Sequence, residues 1–210
     1  MSSAAQKGEV FVVDDDPAVR TTLSTVFGRA SYKVTCFADG AAQVAAAKVN
    51  TPLCIILDVH IPGKSGLDIL KQLNAQDYPV PIFMISGQGD IAMAVDAIHH
   101  GALDFIEKPF RGSDVVARVE AAINARAQGD TGNGTGELQR FYFPGREPLS
   151  RREQDVLAQI VNGASNKEAG RKLGISPRTI EVHRAHLMQK IGARNAADLI
   201  RIVMSEGRTP

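Results

Sequence analysis

Apolar and polar positions follow two different periods along the chain. Up to about residue 127, short apolar runs alternate with stretches of helical spacing. The runs are VFVVD (10–14), YKVTCFA (32–38), LCIILD (53–58), PIFMIS (81–86) and LDFIEK (103–108), and the last helical stretch is SDVVARVEAAINARA (113–127). Apolar runs of this length bounded by polar or turn residues are strand-like. Parallel strands need crossover helices, so five β/α units predict a parallel five-stranded sheet covered on both faces, an α/β fold. After residue 149 the strand-like runs stop and four short helical periods take over. Val156, Leu157 and Ile160 share a face behind a Ser150 cap, with Gly163 ending the helix; NKEAGRKLG, capped by Asn166, stops at Gly174. A longer helix then opens with Ser176 as cap and Pro177 at its first position, and its Ile180, Leu187 and Ile191 face inward. The second half is therefore expected to be all-α.

Between the two regimes lies AQGDTGNGTGEL (127–138), rich in Gly and Thr with little to bury. This is linker composition, and it divides the chain into a first domain (1–127), a flexible linker (128–145) and a second domain (146–210). RFYFPGREPL (140–149) leaves three aromatics beside the linker, which either pack between the domains or seat the first helix of the second. At 44% hydrophobic and 22% charged residues the chain is of soluble globular type. No apolar run approaches the roughly 20 residues of a membrane span, and MSSAAQKGEV lacks a signal-peptide core, so no membrane association and a cytoplasmic location are expected. Cys36 and Cys54 lie in strand-like runs without zinc spacing and are expected as reduced core residues.

Charge sharpens the division. Residues 146–210 carry 12 Lys/Arg against 7 Asp/Glu, whereas the preceding 145 residues are net acidic by four. An acidic half joined to a basic half points to a cation or phosphate site in one and a polyanion partner for the other. In open α/β sheets ligands bind at the carboxyl ends of the strands. Here those ends carry Asp14 and Asp15, Asp58, Ser86, and Lys108 followed by Pro109. Three carboxylates with open coordination positions suit Mg²⁺, a hard ion that also grips phosphate oxygens. Asp16 precedes Pro17 and reads as the N-cap of the following helix.

Taken together, VVDDDPAVR, LDVHIPGKSGLDIL, ISGQGD and DFIEKPF resemble the receiver domain of two-component response regulators over about residues 8–127. The resemblance implies a flavodoxin-like (βα)5 fold. It also implies that Asp58 is the phosphate acceptor, and that Asp14, Asp15, Asp58 and the His60 carbonyl hold Mg²⁺. Ser86 and Lys108 would bind phosphoryl oxygens, Phe105 would take the aromatic switch position, and the Lys108–Pro109 peptide would be cis. The residue types agree with that chemistry: a carboxylate is a competent nucleophile at phosphorus, and metal and ammonium cancel charge on the equatorial oxygens.

In the second half, a short helix, a glycine turn and a longer helix form a helix-turn-helix pattern. The face of the longer helix opposite its apolar stripe carries Arg178, Glu181, Val182, Ala185 and Gln189, with Arg184 and Lys190 around it. Small residues permit approach to a major groove and basic ones take phosphates. Glu181 can accept from a cytosine amino group and Val182 can touch a thymine methyl. Ser176 and Thr179 at the helix start and Lys167 on the preceding helix complete the expected DNA-contacting set. LSRREQDVL, NKEAGRKLGIS and RTIEVHRAHLMQKIG resemble the LuxR-type helix-turn-helix, with Glu181, Val182 and Ala185 at the base-facing positions. Gly170 stands where alanine is usual; a mid-helix glycine costs about 1 kcal/mol unless close packing requires it.

Both halves together resemble response regulators of the NarL/FixJ class, and its FixJ-like branch in particular. The class implies a transcription regulator and not an enzyme, a sensor histidine kinase as phosphoryl donor, double-stranded DNA and RNA polymerase as partners, and a homodimer on phosphorylation. Two rivals predict other behaviour. A Mg²⁺-dependent phosphatase needs a substrate pocket and an Asp-x-Asp nucleophile motif, but residue 60 is His; a phosphorylated adaptor shows no steep salt dependence of nucleic-acid binding.

Overall fold

Each predicted run forms a strand, and four of the five stop at or next to a charged or hydroxyl side chain at the carboxyl end. The computed structural model describes residues 6–75, 78–87, 91–130 and 141–207. In chain order its first elements are β1 (Glu9–Val13), α1 (Pro17–Arg29), β2 (Lys33–Phe37), α2 (Gly40–Val49), β3 (Cys54–Asp58), α3 (Gly66–Leu73), β4 (Ile82–Ser86), α4 (Ile91–His99), β5 (Asp104–Glu107) and α5 (Gly112–Asp130). The sheet is parallel throughout, in the order β2-β1-β3-β4-β5. Strand order reverses between β1 and β3, so the carboxyl ends of those two strands diverge into the crevice where such folds bind ligands.

Burial explains the strand compositions. β3 and β4 are buried at every position because helices cover both faces, and apolar residues fill them without alternation. Phe27 and Leu23 of α1 and Val115, Val119 and Ala122 of α5 pack on one face of the sheet against Val10, Val12, Ile56 and Phe83. β2 is an edge strand and half-exposed. That corrects one expectation: Cys54 is buried, but Cys36 on the edge is exposed. Full burial pushes the Cys54 thiol beyond any physiological range, and partial desolvation at the sheet edge pushes the Cys36 thiol up against the Arg20 charge, so neither is an activated nucleophile.

The chain divides into two compact units, Met1–Ile123 and Asn124–Pro210. α5 runs to Asp130, three residues past its predicted end, while residues 131–140 of the expected linker lie outside the described residues. The second unit holds α6 (Arg151–Val161), α7 (Asn166–Leu173), α8 (Pro177–Ile191) and α9 (Ala196–Glu206). α6 and α7 each open with a reciprocal capping box, Ser150 with Glu153 and Ser165 with Glu168. The cap of α7 is thus Ser165, and Asn166, expected there, is the first helical residue. Gly174 closes α7 in the left-handed conformation at φ 67°. Ile180, Leu187 and Ile191 are buried as their spacing predicts. Phe141 and Phe143 are buried while Tyr142 is exposed. The backbone of Phe141 exchanges two 2.8 Å hydrogen bonds with the Gln154 amide, which seats this segment on α6.

Candidate functional site

Four strand ends build a pocket in the first unit. Asp14 follows β1, Asp58 ends β3, Ser86 ends β4 and Lys108 follows β5. The parallel register sets Asp58 beside Ile85 and Ser86 beside Glu107, so the groups share one rim. Asp14 and Asp58 are buried and Asp15 is exposed. The Lys108 ammonium spans the two buried carboxylates, donating to Asp14 Oδ2 at 2.9 Å and Asp58 Oδ2 at 3.1 Å. The peptide between Lys108 and Pro109 is cis. Ser86 is fully buried, and its carbonyl accepts from the Lys108 backbone N–H at 2.7 Å.

The electrostatics are strained in one direction. Burial pushes the Asp58 carboxyl up and the Asp14 charge adds to it, against the hydrogen bond and charge of Lys108 and a backbone N–H from His60. For Lys108, burial disfavours the ammonium, but hydrogen bonds to Asp14 and Asp58 outweigh it and push the pKa up. Three carboxylates face one ammonium, leaving two negative charges in a half-buried pocket. Asp14, Asp15 and Asp58 each offer an oxygen, all within 4.8 Å of one another. A hard divalent cation fits that donor set and cancels that charge.

The surroundings hold the pocket by means that motif reading did not single out. Arg20, one turn into α1, donates Nη1 to the carbonyls of Asp14 at 2.7 Å and Asp15 at 2.8 Å, clamping the acidic loop. Asp16 does not join the pocket; its carboxylate caps α1 on the Ala18 N–H at 2.7 Å, as expected. Gly66 opens α3 against the end of β3, where a Cβ would collide with the Asp58 carbonyl. Phe105 is half-buried on β5, and its carbonyl accepts from Arg118 of α5 at 3.2 Å. Arg118 also lies 3.6 Å from buried Asp104, tying β5 to α5.

In the second unit α8 presents Arg178, Glu181, Ala185 and Gln189 outward, with Val182 and Arg184 half-buried at the margin and Lys167 exposed on α7. Ser176 caps α8, its Oγ accepting from the Thr179 N–H at 3.1 Å. Two residues of the expected DNA-contacting set are buried or paired within the unit. Thr179 is buried, its hydroxyl 2.7 Å from that of Ser176. The Lys190 side chain is only 12% exposed and pairs with Glu153 and Glu147, each at 3.1 Å. Glu153 is a buried hub: besides Lys190 it takes His186 at 3.0 Å and the Ser150 N–H at 2.7 Å. Lys190 and His186 lie more than thirty residues from Glu153 along the chain, beyond what helical spacing can reveal.

Residues 10–120 match the response regulator receiver domain family, and residues 147–203 match the luxR family of bacterial regulatory proteins. The chain is a FixJ-like response regulator. It is 37% identical to the transcriptional regulatory protein FixJ of Bradyrhizobium diazoefficiens over 96% of this chain and 97% of that one. To FixJ of Azorhizobium caulinodans it is 39% identical, covering 96% and 94% of the two chains. The crystal structure of full-length FixJ from B. japonicum aligns with a TM-score of 0.57 at 36% identity, covering 95% of this chain and 97% of that chain. Relatives matching over nearly the whole length are transcriptional regulatory proteins, so the regulator belongs with them and the phosphatase reading falls. The receiver and LuxR-type domains of this response regulator correspond to the α/β and all-α halves predicted from its sequence. Among the described residues no helix is long and apolar enough to cross a membrane.

Proposed function

We propose that phosphorylation of Asp58 by a sensor histidine kinase switches this regulator between weak and strong DNA binding. The observation that carries the proposal is the Lys108 ammonium bridging Asp14 and Asp58 on the sheet rim. An Asp58 carboxylate oxygen forms the new P–O bond as the donor's bond to phosphorus breaks; phosphohistidine releases imidazole, which takes a proton, and acetyl phosphate releases acetate. Asp14, Asp15, Asp58 and the His60 carbonyl are the groups that would hold Mg²⁺, which when bound neutralises charge on the phosphoryl oxygens. Lys108 releases Asp58 and follows a phosphoryl oxygen, and the buried Ser86 hydroxyl donates to another. Phe105 then repacks, altering the surface of α4, β5 and α5 on which two copies associate. The paired second units read double-stranded DNA through Glu181, Val182 and Ala185, with Arg178, Arg184 and Lys167 on phosphates and Ser176 at the helix start. From that site the dimer controls RNA polymerase in the cytoplasm.

Mass spectrometry of the purified chain after acetyl phosphate and magnesium tests the first step. The expected product is a hydroxylamine-sensitive adduct of about 80 Da at Asp58, absent from Asp58→Asn. No adduct on the native chain would overturn the proposal.

A further inference from the structure

We infer that Asn166 is a positioning residue that sets base preference by holding the Glu181 carboxylate apart from the Arg184 guanidinium. The inference rests on the reading of α8 as the base-contacting helix. Asn166 opens α7, and its side-chain amide bridges two residues of α8: Nδ2 donates to Glu181 Oε1 at 3.2 Å, and Oδ1 accepts from Arg184 Nη1 at 3.2 Å.

The amide has one workable orientation. Reversed, its carbonyl would meet a carboxylate and its NH₂ a guanidinium, so anion and cation each select the end they touch. A rigid base supports the bridge, because the turn leading from α7 into α8 folds back on Gly170 so tightly that a Cβ there would lie 2.6 Å from the Ile175 carbonyl. The Ile175 N–H also donates to the Gly170 carbonyl at 2.9 Å. Asn166 therefore tethers two flexible side chains of one helix to a fixed point on another.

Glu181 and Arg184 are three residues apart on a helix, a spacing at which opposite charges pair directly. A direct pair would fold the carboxylate down onto the helix and cancel the guanidinium. With the amide between them, Glu181 keeps Oε2 as an acceptor for a base-edge amino group, and Arg184 keeps donors for phosphate. Glu181 is exposed while Asn166 and Arg184 are half-buried, so the carboxylate is the outermost member of the bridge.

The test uses full-length chain treated with acetyl phosphate and magnesium, a site selected from random DNA, and competition against single base-pair changes. Asn166→Ala is expected to lower discrimination at the pair facing Glu181 roughly fivefold to tenfold, with little change at other positions or on non-specific DNA. Asn166→Asp, of the same shape, is expected to alter preference at the same pair by repelling Glu181 and capturing Arg184. In a Glu181→Ala background neither substitution should change the preference further. If Glu181→Ala shifts preference but the Asn166 variants do not, or shift it equally in both backgrounds, the positioning role is overturned while the reading of α8 stands. If Glu181→Ala leaves every preference unchanged, that reading fails and the inference with it. Thermal melting and helicity are followed in parallel; uniform loss of affinity at every site together with lowered melting would also reject the inference, since a merely structural residue behaves that way.

Discussion

Asp58 works against the stability of its own fold. Its carboxyl is pushed up by burial first and by the Asp14 charge second, with Lys108 only partly compensating. The folded state therefore holds the Asp58 proton more tightly than the unfolded chain, where the ordinary value is near 3.8. Below that value both states are protonated and no penalty exists; the penalty builds as pH rises from the unfolded value through the raised folded one. Asp58→Asn should accordingly raise the melting temperature of the metal-free protein at pH 7, by about 4 °C for an effect on the order of 1 kcal/mol. The advantage should vanish below about pH 4, as the linkage requires. Magnesium should narrow the gap at neutral pH by stabilising the native chain alone. Melting curves at pH 3.5 and 7, with and without magnesium, measure this, and a destabilised Asn variant at pH 7 would contradict it. The acidic residues were legible in the sequence because their positions at strand ends follow from apolar runs stopping abruptly. The clamp on them was less so: Arg20 stands four residues past the Asp16 cap, but its bonds go to backbone carbonyls that no spacing rule selects.

Helix glycines show how an element's surroundings decide the sign of a substitution. Gly28 in α1 has open space where a Cβ would go, whereas one at Gly170 in α7 would lie 2.6 Å from the Ile175 carbonyl and 3.4 Å from the Pro177 nitrogen. Replacing a helix glycine by alanine gains up to about 1 kcal/mol of propensity. Overpacking against backbone costs roughly 1–3 kcal/mol. Gly28→Ala should therefore stabilise, and Gly170→Ala destabilise, each by about 0.5–1 kcal/mol. Hydrogen exchange of the α1 and α7 amides reads the two effects locally; equal signs would show that the tight α7–α8 turn yields more readily than its geometry implies. Element boundaries were legible wherever capping chemistry was complete. At the start of α7 two adjacent cappers compete, and Glu168 settles the choice, because it lies three residues past Ser165 and closes the capping box there. The inward turn of Lys190 was not legible, since Glu153 lies on another helix and only tertiary packing brings the buried carboxylate beneath it. Cys36 was misplaced for a similar reason. Its run is mostly apolar despite Lys33 and Thr35, and sheet order makes β2 an edge.

At the scale of the whole molecule, an acidic receiver domain is joined to a basic LuxR-type domain; in the proposed function the latter is the reading head, and the coupling between them comes from association. A single head held by a few phosphate contacts binds weakly, and its affinity falls steeply with salt. Once two receivers pair, the second head meets its half-site at an effective concentration of roughly 1 mM instead of the bulk value. For a half-site dissociation constant of about 10 μM, that raises site occupancy on the order of a hundredfold without any new contact to DNA. The expected result with acetyl phosphate and magnesium is a doubling of mass by light scattering. Affinity for a two-half-site operator should rise by one to two orders of magnitude, with almost no rise on a single half-site. Asp58→Asn should show neither change. Both states should lose affinity with added salt, and the dimer more steeply because it releases counterions from two sets of phosphates. An affinity gain of equal size on single and paired half-sites, at unchanged mass, would place the switch within one reading head and reject association as its cause.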